Sequence, residues 1–591
     1  MSSSRKRVAN LLTHRSGDMN SRKDGDDKGP VLMSMEESIH VIEKVVDKFF
    51  HNEFLEAEDM LLSHPERWQQ PYFYVCLAYI RTLFAIFTME REIVTEGLTR
   101  AKATMDMYHK KKKPTKLSSW FFKQDMNEYT DEEAHMEAIY GESTFMFIAC
   151  TFVSDPNIFS LVKAVLKLRE CYNTYYLCGQ IYREKTNWKS EYMQKNFETA
   201  YKLGWGFYNM IMSHLPTRVL KILAFVGFSS DRDTALLYCR EITMNQESYR
   251  TKILSFLFCF YSFYLEQFFG CGTAELSWVK EITDRELANF PNSAFDLFYA
   301  GRSEQLHGNN NEAIKLFNKC IKSQDQFPQV HSVCKWDLLW SHALKREWQT
   351  AADYALELSE KCNWSKATNL YQYACFKFMI LEEAGQTKDE EALKEISETL
   401  KRVPEFKKKI AGRTIPPEKF AITKSNEFIS GKNELVLPAL ELFYIWNIYG
   451  AAANKPEILD PFVEMLDGKI ESLRGKGDAF FTMLLLKGVC LRNQNKNEAA
   501  IECFTQILDE ESNIKSATYI PPHAAFELGL TYINVKEYSE AKHWLERARD
   551  HYTGFLVESL VHLRIHGALG KLREITRSLK RASIDSQKAL G

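Results

Sequence analysis

The chain has 591 residues, 45% of them hydrophobic and 13% aromatic, with 76 Lys and Arg against 78 Asp and Glu for a formal charge of −2. That is ample apolar material for a core, and the balanced charge gives no support to a nucleic-acid binder, which would show a basic stripe. The 13 cysteines fall among apolar positions without a C-x-x-C and behind no signal peptide, so they read as reduced core thiols in a cytoplasmic protein.

Residues 1–34 are dominated by Ser, Asp, Lys, Arg and Gly and read as a disordered arm. Order is expected from Met35. The pattern predicts a helix over Glu36 to Phe50, a turn at Asn52, and a second helix over Phe54 to Leu62 that stops near Pro65; Ala57 makes this pair a degenerate first repeat. A long apolar helix follows from Tyr72 to Phe87. The helical period is lost around 110–130, where Trp120, Phe121 and Phe122 read as surface aromatics tucked back onto the body. It resumes at Asp131, with an interruption over Tyr175 to Tyr192, and runs to about Leu400. The most apolar run, Ile253 to Leu265, is too short for a bilayer span of ~20 residues and reads as a buried inner helix. Leu215 to Phe228 is a second apolar stretch. Further breaks fall at Pro404 to Pro417 and at Asp509 to Pro522, and a basic tail follows over 571–591.

Three glycines carry the strongest signal. Gly301 is followed at twelve, sixteen and nineteen residues by Ala313, Phe317 and Cys320; Gly488 by Ala500, Phe504 and Ile507; Gly529 by Ala541, Leu545 and Ala548. Two antiparallel helices approach closely only where side chains are small, and the large residue fills the space beside the contact. This is the tetratricopeptide pattern. It predicts repeats over 294–327, 481–514 and 522–555, reversing at Gly308 to Asn311, Asn493 to Asn497 and Asn534 to Ser539. Asn311, Asn497 and Ser539 are the expected caps of the second helix. The fold expected is all-α: an elongated superhelical solenoid over 35–570, with a loop at 110–130 and an inter-repeat block at 404–425.

A search for chemistry finds none assembled. His562 and His566 share a helical face without a third ligand, and His331, Cys334 and Cys320 read as core. The Gly204–Gly206 and Gly270–Gly272 pairs lack a dinucleotide fingerprint, and Gly468-Lys469 and Gly475-Lys476 lack P-loop spacing. No catalytic, cofactor or metal residue is expected.

The blocks between repeats, Leu215 to Asp233, Asn363 to Gln372, Lys409 to Ser425, Leu437 to Asn447 and His562 to Leu569, closely resemble the tetratricopeptide repeat protein 39 family, in order across about Met35 to Gly570. The chain more distantly resembles the fungal inclusion-body clearance proteins. The resemblance implies an all-helical adaptor without catalytic residues, linked to sterol and lipid regulation, protein turnover and clearance of lipid-associated inclusions. The function expected is therefore protein binding. Peripheral contact with a membrane or lipid droplet through apolar helices and basic clusters is the alternative; no transmembrane segment is expected. Partners are placed on the inner face of the solenoid and on the block that holds Arg413, Lys419 and Lys424, where a basic loop suits an acidic segment. Bracing of neighbouring helices by that block is the competing and slightly favoured reading.

Overall fold

A computed structural model describes residues 33–66, 69–111, 125–154, 158–213, 232–245, 248–269, 276–362, 364–407, 414–432, 434–452, 454–473 and 477–589. Expectations for most of the N-terminal arm, Trp120 to Phe122, Leu215 to Phe228, Gly270 to Gly272, Asn363, Lys408 to Arg413 and Gly475-Lys476 lie outside the described residues.

Among the described residues there is no strand. In chain order the helices are α1 (Met35–Phe50), α2 (Phe54–Leu62), α3 (Pro71–Thr88), α4 (Arg91–Lys111), α5 (Asp131–Ser154), α6 (Ile158–Glu184), α7 (Glu191–Ser213) and α8 (Arg232–Asn245). Next is α9, which runs over Tyr249–Phe260, a π-turn at Tyr261–Leu265 and a last turn at Glu266–Phe269. Then follow α10 (Leu276–Asn289), α11 (Ala294–Leu306), α12 (Asn310–Ser323), α13 (Gln329–Leu344), α14 (Trp348–Lys361), α15 (Lys366–Glu383), α16 (Glu390–Arg402), α17 (Pro416–Ile429) and α18 (Pro438–Ile445). The last are α19 (Asp460–Leu473), α20 (Asp478–Asn493), α21 (Asn497–Asp509), α22 (Ile520–Asn534), α23 (Tyr538–Asp550) and α24 (Glu558–Ala589). Most consecutive helices pack against each other as hairpins. The helix α3 is the one described helix long and apolar enough to cross a membrane, and 67% of it is buried in the body.

The glycine signature is a steric device. A Cβ on Gly301 would stand 2.8 Å from the Phe317 ring, one on Gly488 2.5 Å from Phe504, and one on Gly529 2.8 Å from Leu545 Cγ. In each repeat the residue sixteen places on fills the space the glycine leaves. The α1–α2 hairpin follows the same frame with Val45, Ala57 and Leu61. A further repeat, α13–α14, escapes the sequence pattern because its volumes are exchanged: Leu339 holds the glycine position and Ala355 the aromatic one, both fully buried.

The turns share one geometry that side-chain caps did not foretell. Asn52, Gly308, Arg346, Gly385, Gly431, Asn495 and Lys536 all have positive φ, from 59° to 77°. After each, the next amide donates back to a carbonyl five residues earlier, as Asn309 N to Glu304 O at 2.8 Å and Glu537 N to Tyr532 O at 2.9 Å. This is the Schellman closure, which satisfies carbonyls left over at a helix end. The second helices start at Asn310, Asn497 and Tyr538, and the capping positions Asn309, Lys496 and Glu537 make no side-chain cap bond. The expected caps Asn311, Asn497 and Ser539 therefore stand inside the helix, because the backbone closure sets the start.

Two more expectations are corrected. The interruption placed at Tyr175 to Tyr192 shrinks to residues 185–190, since α6 stays helical to Glu184. Burial holds it there: Tyr175 is wedged between Gly141 and Gly204, where any Cβ would meet its ring. As far as Ala589, the basic stretch after Gly570 is also no separate tail in structure, for α24 runs unbroken from Glu558 to Ala589.

Contacts between distant parts of the chain complete the body. Phe49 stacks on Phe295 at 5.6 Å, and Phe54 and Phe84 close on Phe327. The Asn52 side chain accepts from Ala294 N at 2.8 Å and donates to Asn292 O at 2.7 Å, tying the first turn to the start of α11. Near the other end, Arg564 of α24 donates to Ile445 O at 2.9 Å and Phe268 O at 3.2 Å, carbonyls in the last turns of α18 and α9. Solenoid repeats that touch only their neighbours form no such ties.

Candidate interaction surface

A solenoid adaptor offers partners the first helices of its repeats. Here those helices are enclosed. Every residue of α11 except Glu304 is buried. Phe295 is surrounded by the rings of Phe49, Phe87 and Phe256, and Tyr299 packs on Phe256 and Phe263. Arg302 pairs with Asp337 at 3.1 Å and donates to Phe263 O at 3.3 Å, while Gln305 donates to Asp337 O and Ser341 Oγ at 2.8 Å. In the C-terminal repeats α18, buried at all eight positions, packs on α15 and α20, and Tyr444 on it bonds His523 Nδ1 of α22 at 2.9 Å. The expectation that partners use the inner face is thus corrected: the protein's own chain already fills it.

The inter-repeat block divides. Lys424 points inward, its ammonium 2.7 Å from Glu441 Oε1 and 3.1 Å from the Tyr519 hydroxyl, which itself donates to Glu441 at 2.6 Å. Burial works against its charge, but Glu441 and Tyr519 outweigh it and raise its pKa. Lys424 therefore braces α17 against α18 and the start of α22, and is not offered to a partner. Lys419 is exposed on the first turns of α17. Arg413 lies outside the described residues. Lys401 and Arg402 in the last turn of α16, and Lys407 beyond the 3-10 turn Val403–Phe406, are exposed beside it. Sequence reasoning missed Lys401 and Arg402, which read as ordinary helix-end cations.

Other buried charges are structural. Glu142 and Arg250, at 0% and 1% exposure, pair at 2.7 Å, with the guanidinium 4.7 Å from the Tyr249 ring and 5.3 Å from Tyr72. Lys252 lies 2.9 Å from Glu286 and 2.7 Å from Asp296. His135 is held neutral: burial first, then the Arg250 charge, lower its pKa to about 3, and it sits between the Tyr72 hydroxyl and Met193 O. Cys334 Sγ is 3.2 Å from Cys320 Sγ, but His331 bonds Gln324 O at 2.8 Å and does not complete a ligand set. His562 lies 3.4 Å from Glu558. Among the described residues no three His, Cys, Asp or Glu converge to hold a metal. The cavity beside the Lys424 brace, lined by Phe420, Glu441, Thr482 and Tyr519, has a volume of about 10 Å³, room for about one water and far below the roughly 300 Å³ at which sites for drug-sized ligands start.

The fold is an array of tetratricopeptide-type helical hairpins that closes on itself. The chain belongs to the family described as Iml2/Tetratricopeptide repeat protein 39, whose model matches residues 44–494. It is similar to the Caenorhabditis elegans Tetratricopeptide repeat protein ttc-39B, 28% identical over 531 residues that cover 89% of this chain and 90% of that one. Among solved structures it aligns with yeast Tom70, at 11% identity over 93% of this chain and 99% of that one with a TM-score of 0.21. It also aligns with the Cut9–Hcn1 hetero-tetramer of the APC/C, at 13% identity over 90% and 96% with a TM-score of 0.24.

Proposed function

We propose that this chain is a non-catalytic cytoplasmic scaffold that holds other proteins on its outer surface, in the service of lipid and sterol homeostasis or protein turnover as the family resemblance implies. The observation that supports it is the enclosed α11: a repeat array whose inner faces are filled has only its outer helices and connecting segments left for partners. Its thiols suit no covalent chemistry. The twelve described cysteines are all buried, and burial pushes Cys76 up to about 12 and Cys178, Cys259 and Cys375 well above the ordinary value. The experiment is affinity capture with mass spectrometry on the full chain, comparing the wild type with variants of exposed residues. Specific partners lost on surface substitution at an unchanged melting temperature support the reading. A wild type that captures nothing specific contradicts it.

A further inference from the structure

Four exposed cations meet where α16 ends and α17 begins: Lys401, Arg402, Lys407 and Lys419. The 3-10 turn Val403–Phe406 packs on both helices, so the four share one corner of the molecule. Lys366, half-buried at the start of α15, sets its ammonium 5.9 Å from the Phe406 ring and gives the corner an aromatic edge. None of these cations makes an ion pair with a described residue. Glu398 and Glu405 are exposed nearby, but Glu418, next to Lys419, turns inward and accepts from Ser365 Oγ at 2.6 Å. The corner keeps a net positive charge.

Fold stability accounts for only part of this. Lys401 and Arg402 stand at the C-terminal end of α16, where a helix favours cations, but Lys419 stands near the N-terminal end of α17, where the helix dipole disfavours one. No carboxylate among the described residues pairs with it. We propose that this corner docks an acidic segment of a partner protein; the inference rests on the scaffold reading above and names the chemistry of its partner. Opposite charge steers such a segment in and holds it in a salt-sensitive way. A bilayer is the poorer match. Among the described residues no exposed large apolar side chain stands at the corner, the one on α17 being Ile429 at its far end.

The test uses the full chain and a fluorescein-labelled dodecapeptide of alternating Glu and Ser, with a Gln and Ser peptide as control. Fluorescence anisotropy should show salt-sensitive binding of the first and none of the second. The fourfold variant Lys401→Glu, Arg402→Glu, Lys407→Glu and Lys419→Glu should weaken binding about tenfold, since it replaces four attractions with four repulsions. If that variant melts lower, the fourfold Gln variant carries the test with a smaller loss. Equal affinity of variant and wild type overturns the inference. So does a wild type that ignores the peptide yet sediments with phosphatidylserine vesicles, which identifies the corner as a lipid contact. Should the fourfold variant capture the same partners as the wild type, the scaffold reading stands and this inference falls.

Discussion

Replacing Gly488 with alanine isolates the steric device behind the repeats. In the middle of a helix, glycine to alanine gains roughly 1 kcal/mol from backbone propensity alone. The new Cβ, however, would lie 2.5 Å from Phe504 Cε1 and 2.8 Å from its Cζ, where ordinary contact begins near 3.4 Å. Phe504 is fully buried and has no room to retreat. Overpacking of this kind costs about 1–3 kcal/mol, so Gly488→Ala should be neutral to destabilising by up to about 2 kcal/mol. Gly468 provides the control: it lies in α19, is exposed, and a Cβ there meets nothing within 4 Å. Gly468→Ala should stabilise by up to about 1 kcal/mol. The separation between the two variants, read from urea and thermal melts by circular dichroism at 222 nm, measures the close approach itself. Leu339 and Ala355 show that the volumes can be exchanged, so Gly488→Leu with Phe504→Ala should be at least about 1 kcal/mol better than the sum of its parts. If Gly488→Ala rises in stability as Gly468→Ala does, the register assigned to the repeats is wrong.

Acid should weaken the fold through two buried histidines. Burial, with Arg250 at His135 and Arg564 at His523, lowers both pKa values to about 3, so in the folded chain they stay neutral while the unfolded chain takes up protons below its ordinary value near 6.5. The unfolded state then binds more protons, and stability is lost as pH falls from 6.5 towards 3, by about 2 kcal/mol per histidine at pH 5. Melting curves from pH 7.5 to 5 should show this fall, and a His135→Gln, His523→Gln variant should show less of it; an equal fall in both proteins excludes the mechanism. Lys424→Ala should destabilise by about 3–5 kcal/mol, because it leaves the nearly buried Glu441 unpaired, whereas Lys419→Ala should stay within about 0.5 kcal/mol. Equal melts for these two variants would remove the brace. At the strained turn of the last repeat, Lys536 has φ of 67°, and Lys536→Gly should gain up to about 1 kcal/mol; a loss in urea denaturation means that the turn is held by its side chain.

The sequence exposed what depends on local spacing. Gly301, Gly488 and Gly529 with their partners carry a contact between helices only sixteen residues apart, so the register was readable, and Ala57 marked the first hairpin. The α13–α14 repeat was hidden because Leu339 and Ala355 keep the summed volume while reversing the order. The break expected from Tyr175 to Tyr192 is mostly overridden by the buried face of α6, since Tyr175 packs against glycines from two other helices. The filled inner faces were not legible at all. They depend on pairs such as Phe49 with Phe295 and Arg564 with Phe268, separated by 246 and 296 residues, for which local periodicity carries no signal. Lys424 and Lys419 show the same limit at the candidate surface: five residues apart on one helix and alike in sequence, they are assigned opposite roles by the tertiary placement of Glu441.

The claim that the protein fills its own inner faces is tested most directly by hydroxyl-radical footprinting of the free full-length chain, read by mass spectrometry. The account predicts rapid oxidation at Tyr176 and Met244, which are 52% and 66% exposed, and protection at Phe298 and Tyr299 of α11, Tyr444 of α18 and Phe526 of α22, all at 5% or less. Oxidation of Tyr299 and Phe526 at rates comparable to Tyr176 would mean an open groove lined by the first helices of the repeats, and would contradict the account.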